Sequence, residues 1–264
     1  MPNTYHCILT HGGAGSDAAF RDGAETACRM GMDALGQGTG ALEAAVRGVV
    51  ALENDGRFNA GVGSRARADG SVQMDACVMD SDGRFGAVAV IEGFRNPVLI
   101  AHKLMASEHC MRAGRGAAEF ALEHDFETWT GRKGTADASY EGSDTVGCVA
   151  FDGTRFAAAL STGGTGGSPA GRVGDVPLLG CGLYAGPYGA VAATGKGEAI
   201  ARNMTAFRAY QMLEEGMGPN FVIEEVLDWF EEDEDIGLIL MSRKAWAGQS
   251  NRSMAWSGLS EGEP

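Results

Sequence analysis

Gly142-Ser143-Asp144-Thr145-Val146-Gly147-Cys148-Val149-Ala150 is the stretch that decides the fold of this chain. Its first residues are small and turn-forming, and the residues after Thr145 form an apolar run typical of a buried strand. Thr145 therefore opens the predicted strand. A threonine in this position has two explanations: it is a good β-former, or it is a nucleophile that is exposed when the Asp144–Thr145 bond is cut.

Cleavage before Thr145 would place a free α-amino group beside the hydroxyl of the same residue. An unperturbed α-amine has a pKa of about 7.7–8.0, so it is partly deprotonated near neutral pH and can act as a general base. The preceding residues, from about 125 to 142, are polar and non-periodic. This composition predicts an exposed, mobile linker, which a processing site needs, although a plain loop has the same composition.

The overall composition is typical of a soluble globular protein with many tight turns. The 264 residues include 41 glycines, which lie in clusters between apolar runs. The formal net charge of −14 argues against nucleic acid and anionic membrane surfaces as partners. Six cysteines occur without CxxC pairs, so neither a zinc site nor a redox dithiol is indicated. No secretion signal and no apolar run of about 18 residues are present, so a cytoplasmic protein without membrane contact is expected.

Hydrophobic periodicity predicts alternating strands and helices along the chain. The predicted strands are 5–10, 71–80, 85–91, 146–151, 155–160 and 236–241, with a further strand-like run at about 190–193. The predicted helices are 18–35, 41–52, 97 to about 105, about 114–123, a helix after residue 195 that carries Arg202 and Tyr210, and 221–232. The acidic run 231–235 is predicted to be a solvated loop, and the tail 257–264 is predicted to be disordered.

Several residues after Thr145 have the chemistry that a threonine nucleophile needs. Thr162, where a strand ends in glycines, can supply a second hydroxyl. Arg172 can grip a carboxylate through two donors, and Asp175 on the same loop can hold an ammonium group. Together they would clamp an amino acid, although a surface ion pair of little energetic weight is the alternative. Thr194–Gly195 can offer a hydroxyl and a backbone N–H to a developing oxyanion.

Three polar residues before Thr145 have less specific interpretations. His11 stands in a glycine turn after the first strand and is expected to order that loop by hydrogen bonding rather than to catalyse. Asn59, in the glycine-rich segment 58–64, can orient a substrate or bond to its own loop. Asp75 lies inside an apolar strand, and a buried carboxylate needs partners. It is therefore either the scaffold of a site or part of a structural ion pair.

Seven motifs occur in order along the chain. They are His11-Gly12-Gly13-Ala14-Gly15, Asn59-Ala60-Gly61-Val62-Gly63, Met74-Asp75-Ala76-Cys77-Val78-Met79-Asp80, Asp144-Thr145-Val146-Gly147, Ser161-Thr162-Gly163-Gly164, Gly171-Arg172-Val173-Gly174-Asp175 and Thr194-Gly195-Lys196-Gly197-Glu198. In this order and spacing the chain resembles the plant-type L-asparaginase/isoaspartyl peptidase family of N-terminal-nucleophile hydrolases. The resemblance covers about residues 5–125 and 142–205.

The resemblance implies an α+β fold, a four-layer αββα sandwich with two antiparallel sheets between helical layers. It implies a single domain, 1–264, that cuts itself between Asp144 and Thr145. The products would be an α-chain, 1–144, ending in the linker of about 125–144, and a β-chain, 145–264. Two such αβ heterodimers would assemble into a dimer.

The resemblance also implies roles at matching positions in the reaction centre. Thr145 would be both nucleophile and general base, and Thr162 would hydrogen-bond to it and activate it. Thr194 and Gly195 would form the oxyanion hole, and Asn59 would contact the nucleophile region.

The implied substrate is L-asparagine or a β-aspartyl dipeptide, whose α-carboxylate would bind Arg172 and whose α-amine would bind Asp175. No cofactor is required. In some members of the family a sodium ion is held by backbone carbonyls of a loop that matches residues 52–62 here, namely those of Leu52, Glu53, Asp55, Phe58, Ala60 and Val62. Lys196 departs from the family pattern, because it replaces the second threonine of the TGTGE motif beside the oxyanion hole.

Two other functions remain open from the sequence. Asp144–Thr145 and Ala192–Gly195 are also similar to glycosylasparaginases, which would act on a bulkier amide substituent, whereas the His-Gly-Gly start is the asparaginase form. A different class is a non-enzymatic protein that keeps the Arg172 and Asp175 clamp for an amino acid but does not mature.

Overall fold

Two stacked β-sheets with helices on both outer faces form the computed structural model, which describes residues 5–129 and 145–262. The strands are β1 His6–Ala14, β2 Met74–Asp80, β3 Phe85–Ile91, β4 Met111–Ala113, β5 Val146–Phe151, β6 Phe156–Thr162, β7 Leu183–Gly186, β8 Gly189–Gly195, β9 Ile236–Ser242, β10 Trp246–Ser250 and β11 Met254–Glu261. The helices are α1 Arg21–Gly36, α2 Ala41–Asp55, α3 Pro97–Leu104, α4 Gly114–Glu123, α5 Gly197–Asn203, α6 Thr205–Glu214 and α7 Pro219–Leu227.

The larger sheet places β5, the strand that follows Thr145, near its centre. Its strands run in the order β11-β1-β5-β6-β2-β3-β4. β5 pairs antiparallel with β1 on one side and with β6 on the other, where Val146 stands opposite Ser161. Every residue of β5 is buried, because helices cover one face of the sheet and the second sheet covers the other. This double burial explains the uninterrupted apolar run after Thr145.

One edge of the larger sheet departs from the expected antiparallel arrangement. β3 and β4 are parallel neighbours, with Val88 opposite Arg112. Parallel strands need a crossover connection, and helix α3 lies in the connection between them. The larger sheet is therefore mixed, and the expectation of two purely antiparallel sheets is wrong at this edge.

The smaller sheet is antiparallel in the order β10-β9-β8-β7, and it delivers Thr194 and Gly195 at the end of β8. Thr194 stands opposite Gly237 and Gly195 opposite Ile236 of β9. Gly195 has a φ of 142°, and a side chain there would collide with the carbonyl oxygen of Asp235. The conformation and the close neighbour both require glycine.

Three apolar layers confirm the αββα sandwich. The first lies between the larger sheet and α1–α4 and includes Ile8, Leu52 and Ile100. The second lies between the two sheets and includes Leu9, Leu160 and Ile239. The third lies between the smaller sheet and α5–α7 and includes Val191, Ile200 and Val222. No helix within the described ranges has the length and apolarity needed to cross a bilayer.

The C-terminal third differs from the sequence predictions in several places. The single helix predicted after Gly195 is two helices, because Met204 adopts a left-handed φ of 48° between α5 and α6. The helix predicted at 221–232 is α7, at Pro219–Leu227. Residues 257–261, predicted to be disordered, lie in β11, which pairs with β1. Glu234, in the acidic run predicted to be solvated, is buried.

The predicted linker of about 125–144 lies mostly outside the described residues. Its beginning is held to the segment before α3, because Arg95 donates its N–H to Glu127 at 3.1 Å and Trp129 donates to Gly93 at 2.8 Å. Residues 127–129 are therefore bonded to the segment before α3, and the mobility of the linker stays a prediction. Residues 130–144, with Asp144 of the predicted cleavage site, are outside the described ranges.

Candidate active site

A small cleft lies where the start of β5, the end of β6 and the end of β8 approach one another. The described residues that line it are Thr145, Thr162, Gly164, Thr165, Arg172, Gly174, Asp175, Gly195 and Gly197, and its empty volume is about 250 Å³. Five of the residues predicted for the site from the sequence are among them. A larger cavity at the start of α2, with Thr39, His102 and Arg155 among its walls, shares no residue with this cleft.

The two threonines of the cleft are placed by neighbouring strands. Thr145 immediately precedes β5, and Thr162 is the last residue of β6. Since Val146 and Ser161 are cross-strand partners, the residues just beyond this pair lie at the same end of the sheet. Thr162 Oγ1 accepts the N–H of Gly164 at 2.9 Å. An accepting hydroxyl keeps its own proton for donation, so Thr162 can still donate to a neighbouring oxygen.

Arg172 and Asp175 both lie against Gly197, at the wall of the cleft. A Cβ added at Gly197 would be 2.8 Å from Arg172 Nη2 and 3.0 Å from Asp175 Oδ1. The absence of a side chain at this position therefore lets both charged groups pack closely against the main chain of Gly197. A ligand that carries one anionic and one cationic group has a partner for each of them here.

The guanidinium of Arg172 is oriented by a carboxylate from the start of α5. Its Nε and Nη2 donate to the two oxygens of Glu198 at 2.9 and 2.8 Å. Burial alone would lower the pKa of Arg172, but the hydrogen bond and the charge of Glu198 more than offset this and raise it. Arg172 is thus positively charged, and its two hydrogen bonds to Glu198 fix the orientation of its guanidinium group.

Asp175 is a buried carboxyl with an oxygen that lacks a partner. Burial raises its pKa from 3.8 to about 7, Arg172 opposes this rise, and the charge of Asp75 adds to it. Oδ2 accepts no hydrogen bond from any described residue. An unsatisfied buried acceptor is costly. Oδ2 lies against Gly182, whereas Oδ1 is the oxygen beside Gly197 at the cleft.

Thr194 lies one residue behind the wall of the cleft, whereas Gly195 lines it. Thr194 is fully buried, and its Oγ1 accepts the N–H of Ala14 at 3.1 Å. Its hydroxyl proton is therefore available to another acceptor. The first strand thus supports this side of the cleft through the Ala14 N–H.

Lys196 follows Gly195 but is not among the described residues that line the cleft. Its main-chain N–H donates to Asp235 at 2.8 Å, and its ammonium group forms an ion pair with Glu234 at 3.3 Å. Arg202 pairs with the same carboxylate at 3.1 Å. The positive charge of Lys196, which stands where the family pattern has a threonine, therefore links the acidic run 231–235 to the start of α5.

Asn59 is placed against the loop after Thr162 and does not line the cleft. Its Nδ2 donates to the carbonyl of Gly164 at 2.7 Å, and its Oδ1 accepts the N–H of Arg65 at 2.9 Å. Its own carbonyl accepts the N–H of Gly163 at 2.8 Å. Of the two interpretations left open by the sequence, the structure favours loop positioning.

His11 is fully buried beneath the strand that follows Thr145. Its ring packs on Gly147, its cross-strand partner in β5. Burial lowers the pKa of His11 to about 3, and the main chain of Thr145 opposes this shift, so the ring is neutral at neutral pH. Neither ring nitrogen has a hydrogen-bond partner of good geometry within the described ranges, so the expected side-chain bond that orders the loop is not made there.

Two charged residues near the site were missed from the sequence, and a third was left with two interpretations. Glu198 belongs to the motif Thr194–Glu198, but the sequence did not indicate that it would pair with Arg172. Arg67 lies in an irregular segment before β2, and no local pattern marks it as buried. Asp75 was left open: its Oδ1 accepts the N–H of Val90 at 2.7 Å, and burial raises its pKa to about 6, a rise that Arg67 and Arg172 partly oppose.

Comparisons with known proteins found relatives that match almost the whole chain. The model of the asparaginase family matches residues 5–141 and 129–262. An isoaspartyl peptidase/L-asparaginase from Rattus norvegicus is 34% identical over 288 residues, which cover 97% of this chain and 86% of the relative. A plant-type L-asparaginase from Pyrobaculum calidifontis is 36% identical over 253 residues, 84% of each chain. Another from Pyrococcus horikoshii is 31% identical over 296 residues, 97% of this chain and 96% of the relative.

Proposed function

Because this chain belongs to the asparaginase family and is a hydrolase, we propose that it cleaves β-aspartyl amide bonds, in L-asparagine or in β-aspartyl dipeptides. The observation that carries the proposal is that Arg172 and Asp175, which both approach Gly197, line the same cleft as Thr145. A substrate held there by its α-carboxylate and α-ammonium extends its side-chain carbonyl into the remainder of the cleft. Of the three threonines among the described residues that line the cleft, Thr145 is the one that we assign as the nucleophile.

The proposed reaction needs Thr145 at a new N-terminus. In the maturation step, Thr145 Oγ attacks the carbonyl carbon of Asp144, the peptide C–N bond breaks, and the threonine nitrogen takes the proton. Water then hydrolyses the resulting ester, which frees the α-chain carboxylate and the Thr145 α-amine. This amine has the ordinary pKa range of a general base near neutral pH.

In the hydrolytic cycle the Thr145 hydroxyl gives its proton to its own α-amine as Oγ bonds to the β-carbonyl carbon. The C–N bond to the leaving group then breaks, the departing nitrogen takes that proton, and ammonia or an amino acid leaves. Water attacks the ester and releases aspartate. Thr162, which keeps its hydroxyl proton, supports the nucleophile.

The tetrahedral intermediate places a negative charge on the former carbonyl oxygen. We assign its stabilisation to the hydroxyl of Thr194 and the N–H of Gly195. The Ala14 N–H, which donates to Thr194 Oγ1, directs that hydroxyl proton away from Ala14. Fixed donors of this kind need no reorganisation as the charge develops.

Substrate class is tested by assaying the purified protein with three compounds. We expect ammonia release from L-asparagine and cleavage of a β-aspartyl dipeptide, with little turnover of an N-glycosylated asparagine because the cleft is small. Turnover of the glycosylated compound alone would favour the glycosylasparaginase alternative. A matured protein that cleaves none of the three would contradict the proposed activity.

The binding of amino acids is expected to weaken in acid because of Asp175. Its pKa of about 7 in the free site means that lowering the pH neutralises the carboxylate that should face the substrate ammonium. L-aspartate, as a competitive inhibitor, should bind about tenfold more weakly at about pH 6 than at about pH 8. Inhibition by L-aspartate reports on the clamp separately from the Thr145 α-amine, whose protonation lowers kcat. An inhibition constant that does not change over this range would contradict the prediction.

We also propose that the loop 52–62 holds a sodium ion through main-chain carbonyls. Gly61 and Gly63 lack side chains where a Cβ would crowd the carbonyl oxygens of Glu53 and Phe58, so both glycines pack directly against main-chain carbonyls of this loop. Oxygen ligands suit a hard cation. The melting temperature should be higher in sodium than in choline chloride at equal ionic strength, and equal values would contradict the proposal.

The assembly that the family resemblance implies, a dimer of αβ heterodimers, is likewise a proposal for this chain. Light scattering coupled to size exclusion should give twice the mass of one full chain for the matured protein. A mass equal to one chain over a wide concentration range would exclude the dimer.

A further inference from the structure

Arg67 is fully buried beneath the loop that carries the amino-acid clamp, which we define as Arg172 and Asp175. Its side chain has no solvent exposure. Nη1 donates to Ser168 Oγ at 2.6 Å and Nη2 donates to the carbonyl of Gln73 at 3.1 Å. The flat face of the guanidinium group lies against Gly164, where any side chain would collide with it.

The loop above Arg67 has little regular structure of its own. Residues 163–182 contain neither helix nor strand, and several of them, including Gly167 and Gly171, are exposed. A glycine-rich segment of this kind loses much conformational freedom when it is ordered. The clamp therefore depends on contacts from elsewhere in the chain to keep its geometry.

The segment 66–73, which contains Arg67, supplies such contacts from the main chain. Ala68 donates its N–H to Ser168 at 2.9 Å, and Gly167 donates to Ala66 at 2.9 Å. These two bonds flank Arg67, so its side chain fills the space between the segment and the loop.

Gln73, at the other end of the segment, fixes the residue next to the clamp arginine. Its Oε1 accepts the N–H of Gly171 at 2.7 Å, and its Nε2 donates to Glu92 at 2.9 Å. Because the carbonyl of Gln73 also accepts from Arg67, the guanidinium group ties both ends of the segment to the loop. Asn59 holds the other end of the loop, at Gly163 and Gly164.

The charges of this region alternate beneath the clamp. Burial lowers the pKa of Arg67, and Asp75 opposes this change through its negative charge. Asp75 stands opposite Thr162 in the β2–β6 pair, and its Oδ2 has no hydrogen-bond partner within the described ranges. Asp75 thus partly compensates the charge of Arg67, whereas Arg172 is paired with Glu198.

We propose that Arg67 is a positioning residue for substrate recognition: it fastens the loop 163–175 to the segment 66–73 and thereby holds Arg172 and Asp175 at the spacing that an amino acid requires. The inference rests on the proposed function of the clamp. Arg67 touches neither the nucleophile nor the oxyanion hole in this arrangement. Its loss should therefore affect the binding of the substrate more than its conversion.

The planar fork of arginine suits this role better than lysine does. The guanidinium group donates to Ser168 and to Gln73 at the same time and stacks flat beneath Gly164. A lysine ammonium group is a compact charge that cannot reproduce this geometry, although it keeps the positive charge. The Arg67→Lys variant should therefore restore only part of what Arg67→Met removes.

Hydrogen exchange tests the fastening of the loop independently of enzymatic activity. In Arg67→Met the amides of Gly167, Gly171 and Arg172 should exchange at least about tenfold faster than in wild type. Leu104→Ala, a buried truncation in α3, is the matched control, because it lowers global stability without touching the loop. Unchanged loop exchange in Arg67→Met, or an equal loop-specific increase in Leu104→Ala, would overturn the proposal even if the wild type proved to be inactive.

Kinetics of the matured enzyme test the consequence for recognition. Arg67→Met should raise KM for L-asparagine or a β-aspartyl dipeptide by about tenfold or more while kcat changes by less than about threefold. Arg67→Lys should lie between this variant and the wild type, and Leu104→Ala should leave KM unchanged. If Arg67→Met does not fold, Ser168→Ala, which removes only the acceptor of Nη1, should raise KM in the same direction. A fall in kcat at constant KM would contradict a positioning role in binding.

Discussion

Thr145→Ala is expected to leave the chain uncut and without amidase activity. The substitution removes the attacking atom of both reactions, the Oγ that attacks the Asp144 carbonyl during maturation and the substrate carbonyl afterwards. Both rates should fall by about 10⁴-fold or more, which is the scale of losing a nucleophile in other enzymes. Gel electrophoresis and ammonia release measure the two effects directly.

The matched control for this substitution is Thr154→Ala, in the exposed turn between β5 and β6. It deletes the same hydroxyl and methyl groups from the same sheet, outside the cleft, and should mature and turn over normally. Thr145→Ser keeps an attacking hydroxyl and should retain measurable cleavage. Maturation or full activity in Thr145→Ala would rule out Thr145 as the nucleophile.

Asp175→Asn is expected to remove substrate recognition without weakening the fold. The amide has the shape of the carboxyl but lacks the charge that faces the substrate ammonium, so kcat/KM should fall by about 100-fold or more. Most of the loss should appear in KM, because the nucleophile and the oxyanion donors lie on other segments. Steady-state kinetics with L-asparagine separate the two constants.

The pKa of Asp175 also predicts how Asp175→Asn changes the free energy of unfolding. Burial raises the pKa of Asp175 from 3.8 to about 7, so its ionisation costs folding free energy that grows as the pH rises between these values. The neutral amide avoids this cost. Asp175→Asn should therefore be at least as stable as wild type at about pH 8, while Asp33→Asn, on the exposed face of α1, should change neither activity nor stability. A large loss of stability in Asp175→Asn would mean that the carboxyl has a structural role.

The sequence alone was sufficient to predict the part of the site that lies at strand ends. The apolar run after Thr145 predicts a buried strand that begins at this residue, and the structure places this strand, β5, between β1 and β6. Thr162 and Gly195 also end strands, so short-range patterns located them. The resemblance to a family then supplied roles that no single pattern could give.

The remaining features depend on contacts between distant segments, which local patterns do not record. Arg67 reads as a surface arginine because it is a charged residue in a short irregular segment that also holds Arg65 and Asp69, yet it is buried by a loop about 100 residues further along the chain. The end of β11, from residue 257, looks like a polar tail in the sequence because only part of this strand faces the core. Its pairing with β1, about 250 residues earlier, leaves no local pattern. The break between α5 and α6 at Met204 could not be predicted either, because no proline or glycine marks it.

N-terminal sequencing of the purified wild-type protein tests directly whether the chain is cut before Thr145. The account predicts two chains after maturation, one of which begins with Thr145-Val146-Gly147, and a single uncut chain from Thr145→Ala prepared in parallel. A wild-type protein that hydrolyses L-asparagine while remaining one chain, or that is cut at a different bond, would contradict the assignment of Thr145 as an N-terminal nucleophile.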